Sequence, residues 1–199
     1  MSAPSPAGRV ASGRRPSPRT AASAALIVGG AAALALRPAL LLGPDLSANT
    51  RSGLLALLYI SLAAASILPN SPRDRAPLPA AVVLAAGIAA VTAAWWTAGP
   101  AAPLTAASTS IALSTDAAVA EEALFRWVAY DHLRRFGVPV AIGATAVLFA
   151  VVHVPAYGVA ALPVDLGAGL LFGWQRWASG TWTVPAATHA AANLLAVLP

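Results

Sequence analysis

One apolar run after another, each about as long as a bilayer is thick, sets the terms for this chain. Such runs occupy residues 21–43, 53–69, 77–98, 138–154, 158–178 and 181–198, and a seventh passes through the stretch AVAEEALFRW. A helix rises ~1.5 Å per residue, so roughly 17–25 apolar residues cross a hydrocarbon core. The composition agrees: 58% of the 199 residues are hydrophobic and 10% are charged, and the mean hydropathy is +0.72. Soluble domains carry roughly 25% charged residues, which excludes an ordinary soluble globule. The expectation is an all-α, polytopic integral membrane helix bundle with about seven transmembrane helices.

Charge placement refines this. All 12 basic residues are arginine, and the net charge is +5. Arg9, Arg14, Arg15, Arg19, Arg73, Arg75, Arg134, Arg135 and Arg176 fall on one side of a seven-span threading, and Arg51 falls on the other. That is the positive-inside pattern of a multi-pass protein of the cell membrane. It implies a cytoplasmic N-terminus and an extracytoplasmic C-terminus, with the lipid bilayer as partner. A nucleic-acid partner is excluded, because the arginines form no basic groove. The absence of cysteine excludes disulfides, iron–sulfur clusters and cysteine-based zinc or nucleophile chemistry.

Residues 1–20, rich in Pro, Ser, Gly and Arg, read as a disordered basic arm. The apolar run behind it reads as a retained helix rather than a cleaved signal. In that run Arg37 is placed to snorkel to the interface and Pro38 to kink the helix. Trp95 and Trp96 suit a membrane interface. Residues 21–199 form the transmembrane domain, with 21–98 as scaffold helices and 99–199 as the core that carries the chemistry.

Three short patterns hold most of the polar residues of that core. In the first, Glu122 and Arg126 stand at i and i+4, close enough for a charge-assisted pair. Glu121 points about 100° away, which leaves it free to act; a helix end with a surface salt bridge would carry the same pattern. The second is Phe149 and His153, again at i and i+4, with Phe149 placed to wall the histidine against lipid. The third is His189 and Asn193, whose spacing aims two donors from one helical face. A packing histidine and a polar clamp between helices are the structural counterparts of these two. The remaining histidine, His132 in DHLRR, reads as solvated. Ionisable groups inside a membrane face a bundle interior or a cavity, and three such patterns together point to one shared site.

EEALFR, FAVVH and HAAAN, in that order and spacing, resemble the CPBP family of intramembrane proteases, which includes the type 2 CAAX prenyl proteases and bacteriocin-processing or immunity relatives. The resemblance covers about residues 100–199, and GAGLLFGWQRWASGTW resembles the family's Gly-rich helix and turn. Trp127 departs from it, since the family commonly has Gly after the Arg. The resemblance implies hydrolysis of a peptide bond in a membrane-associated peptide or protein. It implies that Glu121 and His153 activate a water and that His189 and Asn193 stabilise the oxyanion. The catalytic set is then Glu121, Glu122, Arg126, His153, His189 and Asn193. No cofactor is expected. Zinc held by Glu121, His153 and His189 is the alternative, but HExxH is absent and Asn is a poor zinc ligand. A non-catalytic immunity or chaperone-like factor of the same fold is a second alternative, and a small transporter or proton-coupled channel is a third, which no internal repeat or pair of broken helices supports.

Depth adds one expectation. Counting ~1.5 Å per residue, Glu121 is level with His153 if its helix spans about 116–136. Residues 101–115 then form a re-entrant or interfacial entry segment.

Overall fold

The computed structural model describes residues 18–42, 46–67, 76–98 and 111–196. Every regular element among them is helical. Helices α1 (Pro18–Leu42), α2 (Ala48–Ile67) and α3 (Ala80–Ala98) come first. Helix α4 (Ile111–Glu122) continues without interruption into a π-helical stretch, Ala123–Ala129, and then into α5 (Tyr130–Leu133). Helices α6 (Val138–Tyr157), α7 (Leu162–Ser179) and α8 (Thr183–Ala196) complete the bundle.

Local sequence explains these boundaries. The first three helices are built from Ala, Leu and other strong helix formers. Pro139 and Pro163 occupy the first turns of α6 and α7, where a missing N–H costs nothing. Gly180 ends α7 with φ 68°, the left-handed stop that suits glycine.

Four helical segments are long and apolar enough to cross a membrane: Arg19–Leu40, Ala48–Ile67, Ala80–Thr97 and Val138–Tyr157. Counting residues 111–133 as one rod gives seven rods among the described residues, so three fall short of the expected seven crossings. The rod through α4 carries Asp116, Glu121, Glu122, Arg126 and Asp131. Helix α7 carries Asp165 and Arg176, and α8 has 14 described residues. These three hold Glu121, Glu122, Arg126, Arg176 and His189, while α1 carries Arg37 and α6 carries His153.

The bundle is apolar outside and charged within. Val28, Leu57, Ile60, Val82, Val147 and Val151 are exposed, whereas Arg37, Glu121, Glu122, Arg126, Gln175 and Arg176 are buried. A surface of this kind is matched to lipid rather than water. The core joins Leu34 of α1 and Leu55, Tyr59 and Leu62 of α2 to Leu124, Phe125, Phe149 and Phe172.

Small residues bring α6 and α7 together. A Cβ on Gly169 would lie 2.8 Å from the Ala146 Cα. On the far side, Gln175 of α7 donates to the Val83 carbonyl at 3.1 Å and to the Thr188 hydroxyl at 2.9 Å, tying α3 to α8.

Three expectations change. Residues 111–115 are helical and continuous with α4, so that helix does not start near 116. Thr115 donates its hydroxyl back to the Ile111 carbonyl at 2.8 Å, which lets a polar side chain sit in an apolar helix. Arg176, counted by its charge among the arginines of one side, is buried and donates to the Arg126 carbonyl and to Asp131, each at 2.9 Å. Arg37 does not snorkel and turns inward. Most of the basic arm (residues 1–17), the loop with Arg73 and Arg75, and residues 101–110 of the entry segment lie outside the described residues.

Candidate active site

Three helices converge on Glu121, near the end of α4. Its Oε2 lies 3.5 Å from His153 Nε2 of α6 and 4.0 Å from His189 Nε2 of α8. Its Oε1 accepts a hydrogen bond from the Arg37 guanidinium of α1. Glu121 is 2% exposed, so these groups replace water as its surroundings.

Both imidazoles are oriented from behind. His153 Nδ1 is 2.7 Å from the Phe149 carbonyl one turn back, which turns Nε2 toward Glu121. His189 Nδ1 is 3.1 Å from Glu122 Oε1, which turns its Nε2 toward the same point. The ring nitrogens behind each histidine are thus committed to acceptors, and the two Nε2 atoms share one carboxylate oxygen.

Glu122 also faces Arg126, with Oε2 3.3 Å from Nε. The π-helical stretch begins at the next residue, Ala123, and such widened turns recur at functional sites. Arg126 donates from Nη2 to the Gly169 carbonyl of α7 at 3.2 Å. Its guanidinium lies 4.9 Å from the Phe149 ring centre and 5.6 Å from that of Phe172, where the ring faces favour a cation. Those rings also pack the histidines: Phe172 stacks on His189 at 4.9 Å, and Phe149 lies 4.5 Å from His153. Phe149 is therefore the inner floor of the cluster rather than its wall against lipid.

Asn193 stands apart from this convergence. Its amide donates to the Ser114 carbonyl at 3.0 Å, joining α8 to α4. His132 sits at the arginine-rich rim, 3.1 Å from Arg135 Nη2. Trp127, the departure from the family pattern, packs edge-on against Trp182 at 6.2 Å. A cavity of about 210 Å³ near it, lined by Arg19, Ser23, Asp131 and Arg135 among others, shares no residue with the cluster.

Sequence reasoning missed several neighbours. Tyr59 of α2 acts electrostatically on Arg37. Tyr157 stacks on His153 at 5.7 Å. Asp165, in the first turn of α7, acts electrostatically on both His153 and Glu121. Among the described residues, no group of three or more His, Asp or Glu side chains is arranged to hold a metal ion.

Residues 103–195 match the family model described as type II CAAX prenyl endopeptidase, Rce1-like. No curated protein and no solved structure matches the chain. The matched segment contains Glu121, Glu122, Arg126, His153, His189 and Asn193, and leaves out Arg37 and Tyr59.

Proposed function

We propose that the protein, whose residues 103–195 match the Rce1-like type II CAAX prenyl endopeptidase model, is an intramembrane endopeptidase acting on a membrane-associated peptide or protein. The observation that carries this is the approach of Glu121 Oε2 to His153 Nε2, 3.5 Å, and to His189 Nε2, 4.0 Å. A carboxylate oxygen and an imidazole lone pair then face one point, where His153 orients a water and Glu121 takes its proton. As the water oxygen bonds to the scissile carbonyl carbon, one proton passes to Glu121. The carbonyl oxygen becomes an oxyanion. His189, held through Nδ1 by Glu122, turns Nε2 to that oxygen as a donor. Asn193 has one amide hydrogen on Ser114 and a second with which to assist. When the C–N bond breaks, Glu121 returns its proton to the leaving amine. Preorganised donors in a dry site stabilise developing charge strongly.

A metal-free reaction is the reading favoured here. Arg37 already neutralises Glu121, and a zinc ion bound to the same carboxylate would stand beside that cation. In the bilayer the four apolar helices cross, and the three polar rods stand within them, giving seven passes. The N-terminus is cytoplasmic and the C-terminus extracytoplasmic.

Cleavage of a reporter peptide by the purified protein in detergent tests the reading. Glu121→Ala and His153→Ala are each expected to lower turnover by roughly 10²–10⁴-fold. Equal cleavage by all three proteins would end the assignment and favour a non-catalytic membrane factor. Full activity in strong chelator is the expected result for a metal-free reaction; loss restored by added zinc would replace it with a metallopeptidase.

A further inference from the structure

We infer that Arg37, on a helix outside the segment that matches the family model, is a positioning residue for Glu121. This rests on the endopeptidase reading above. Glu121 has two oxygens and three neighbours with hydrogens to offer or share: Arg37, His153 and His189. Arg37 takes Oε1, which directs Oε2 at both imidazoles. Without it the carboxyl group rotates freely about its last bond, and either oxygen can turn away.

Arg37 is itself held. It is 5% exposed, and Tyr59 of α2 acts on it electrostatically. The two scaffold helices α1 and α2 therefore set the orientation of a carboxylate on α4. Arginine suits the task because its planar fork fixes direction as well as charge. Glu122 and Arg126 show a parallel arrangement one residue along, with Glu122 holding His189. Each glutamate thus has its own guanidinium, one from within the matched segment and one from outside it.

The test compares Arg37→Ala, Arg37→Lys and Arg37→Gln with the parent protein and with Glu121→Ala. Activity is expressed per mole of monodisperse folded protein after gel filtration. Positioning predicts that Arg37→Ala lowers kcat roughly 100-fold, the scale of a 1 Å misplacement, with KM held within about threefold, since no substrate contact is removed. Arg37→Lys restores part of that loss and Arg37→Gln less. If the folded fraction of every Arg37 variant turns over at the parent rate, Arg37 is only a packing residue and the inference fails. A rise in KM at unchanged kcat would overturn it in favour of substrate binding. Activity of Glu121→Ala at the parent level would instead remove the endopeptidase reading on which the inference stands.

Discussion

Glu122 stands between two bases, 3.3 Å from Arg126 Nε and 3.1 Å from His189 Nδ1, and is wholly buried. Removing it leaves the Arg126 charge inside the bundle without its carboxylate, a change that costs about 3–5 kcal/mol in comparable buried pairs. Glu122→Ala is therefore expected to lower the denaturation midpoint in detergent more than Glu121→Gln, which keeps an acceptor near Arg37. A Glu122→Ala midpoint at the parent value would show that Arg126 finds another partner. The motif residues were legible because a charge in an apolar run is expensive and must be used or paired. The same reasoning, carried one step further, reaches Arg37. Two adjacent glutamates and one nearby arginine leave one negative charge over, and Arg37 is the one other arginine inside an apolar run of the first half. What the sequence does not carry is direction: a side chain near a helix end can turn out to the interface or in to a partner, and only the position of α4 decides between them.

At the level of helices, Gly169 links packing to chemistry. Its missing side chain lets α7 approach Ala146 of α6, and its carbonyl accepts from Arg126 at 3.2 Å. Gly169→Val drives a branched side chain into backbone, and overpacking of this sort costs about 1–3 kcal/mol. Both the denaturation midpoint and turnover are expected to fall, because separating α6 from α7 also displaces Arg126. Gly167→Ala is the control, since a Cβ there meets nothing within 4 Å. Hydropathy gave most helices within a few residues of their ends, as in α6, expected at 138–154 and observed as Val138–Tyr157. The π-helical stretch was not legible. Spacing arguments assume 3.6 residues per turn, and nothing in ALFRWVA announces a wider one. The start of α4 was missed for a related reason: Ser and Thr lower apparent hydropathy, yet their hydroxyls bond back to the helix and sit in it at little cost.

Across the whole molecule, the exposed apolar faces and the buried charges define an inside-out partition that a bilayer completes. The absence of native cysteine makes its orientation directly measurable. Ser47→Cys, between α1 and α2, is expected to react with an impermeant maleimide on intact cells. Phe136→Cys, between α5 and α6, is expected to react only after permeabilisation; the reverse pattern would invert the proposed topology. The pairing of Arg37 with Glu121 also has a consequence for biogenesis. The two residues are 84 positions apart, and ribosomes deliver roughly 5–20 residues per second. For about 4–17 s at that rate, α1 exists in the translocon without the carboxylate that balances it, carrying an arginine whose cost is below the ~2.5–3.5 kcal/mol of a helix centre because it lies near the helix end. Nascent chains truncated before residue 121 should therefore insert α1 less completely than the same chains bearing Arg37→Leu, and chains extended past α4 should close that gap. The site is assembled in time as well as in space, with its first charge waiting in the membrane for its last.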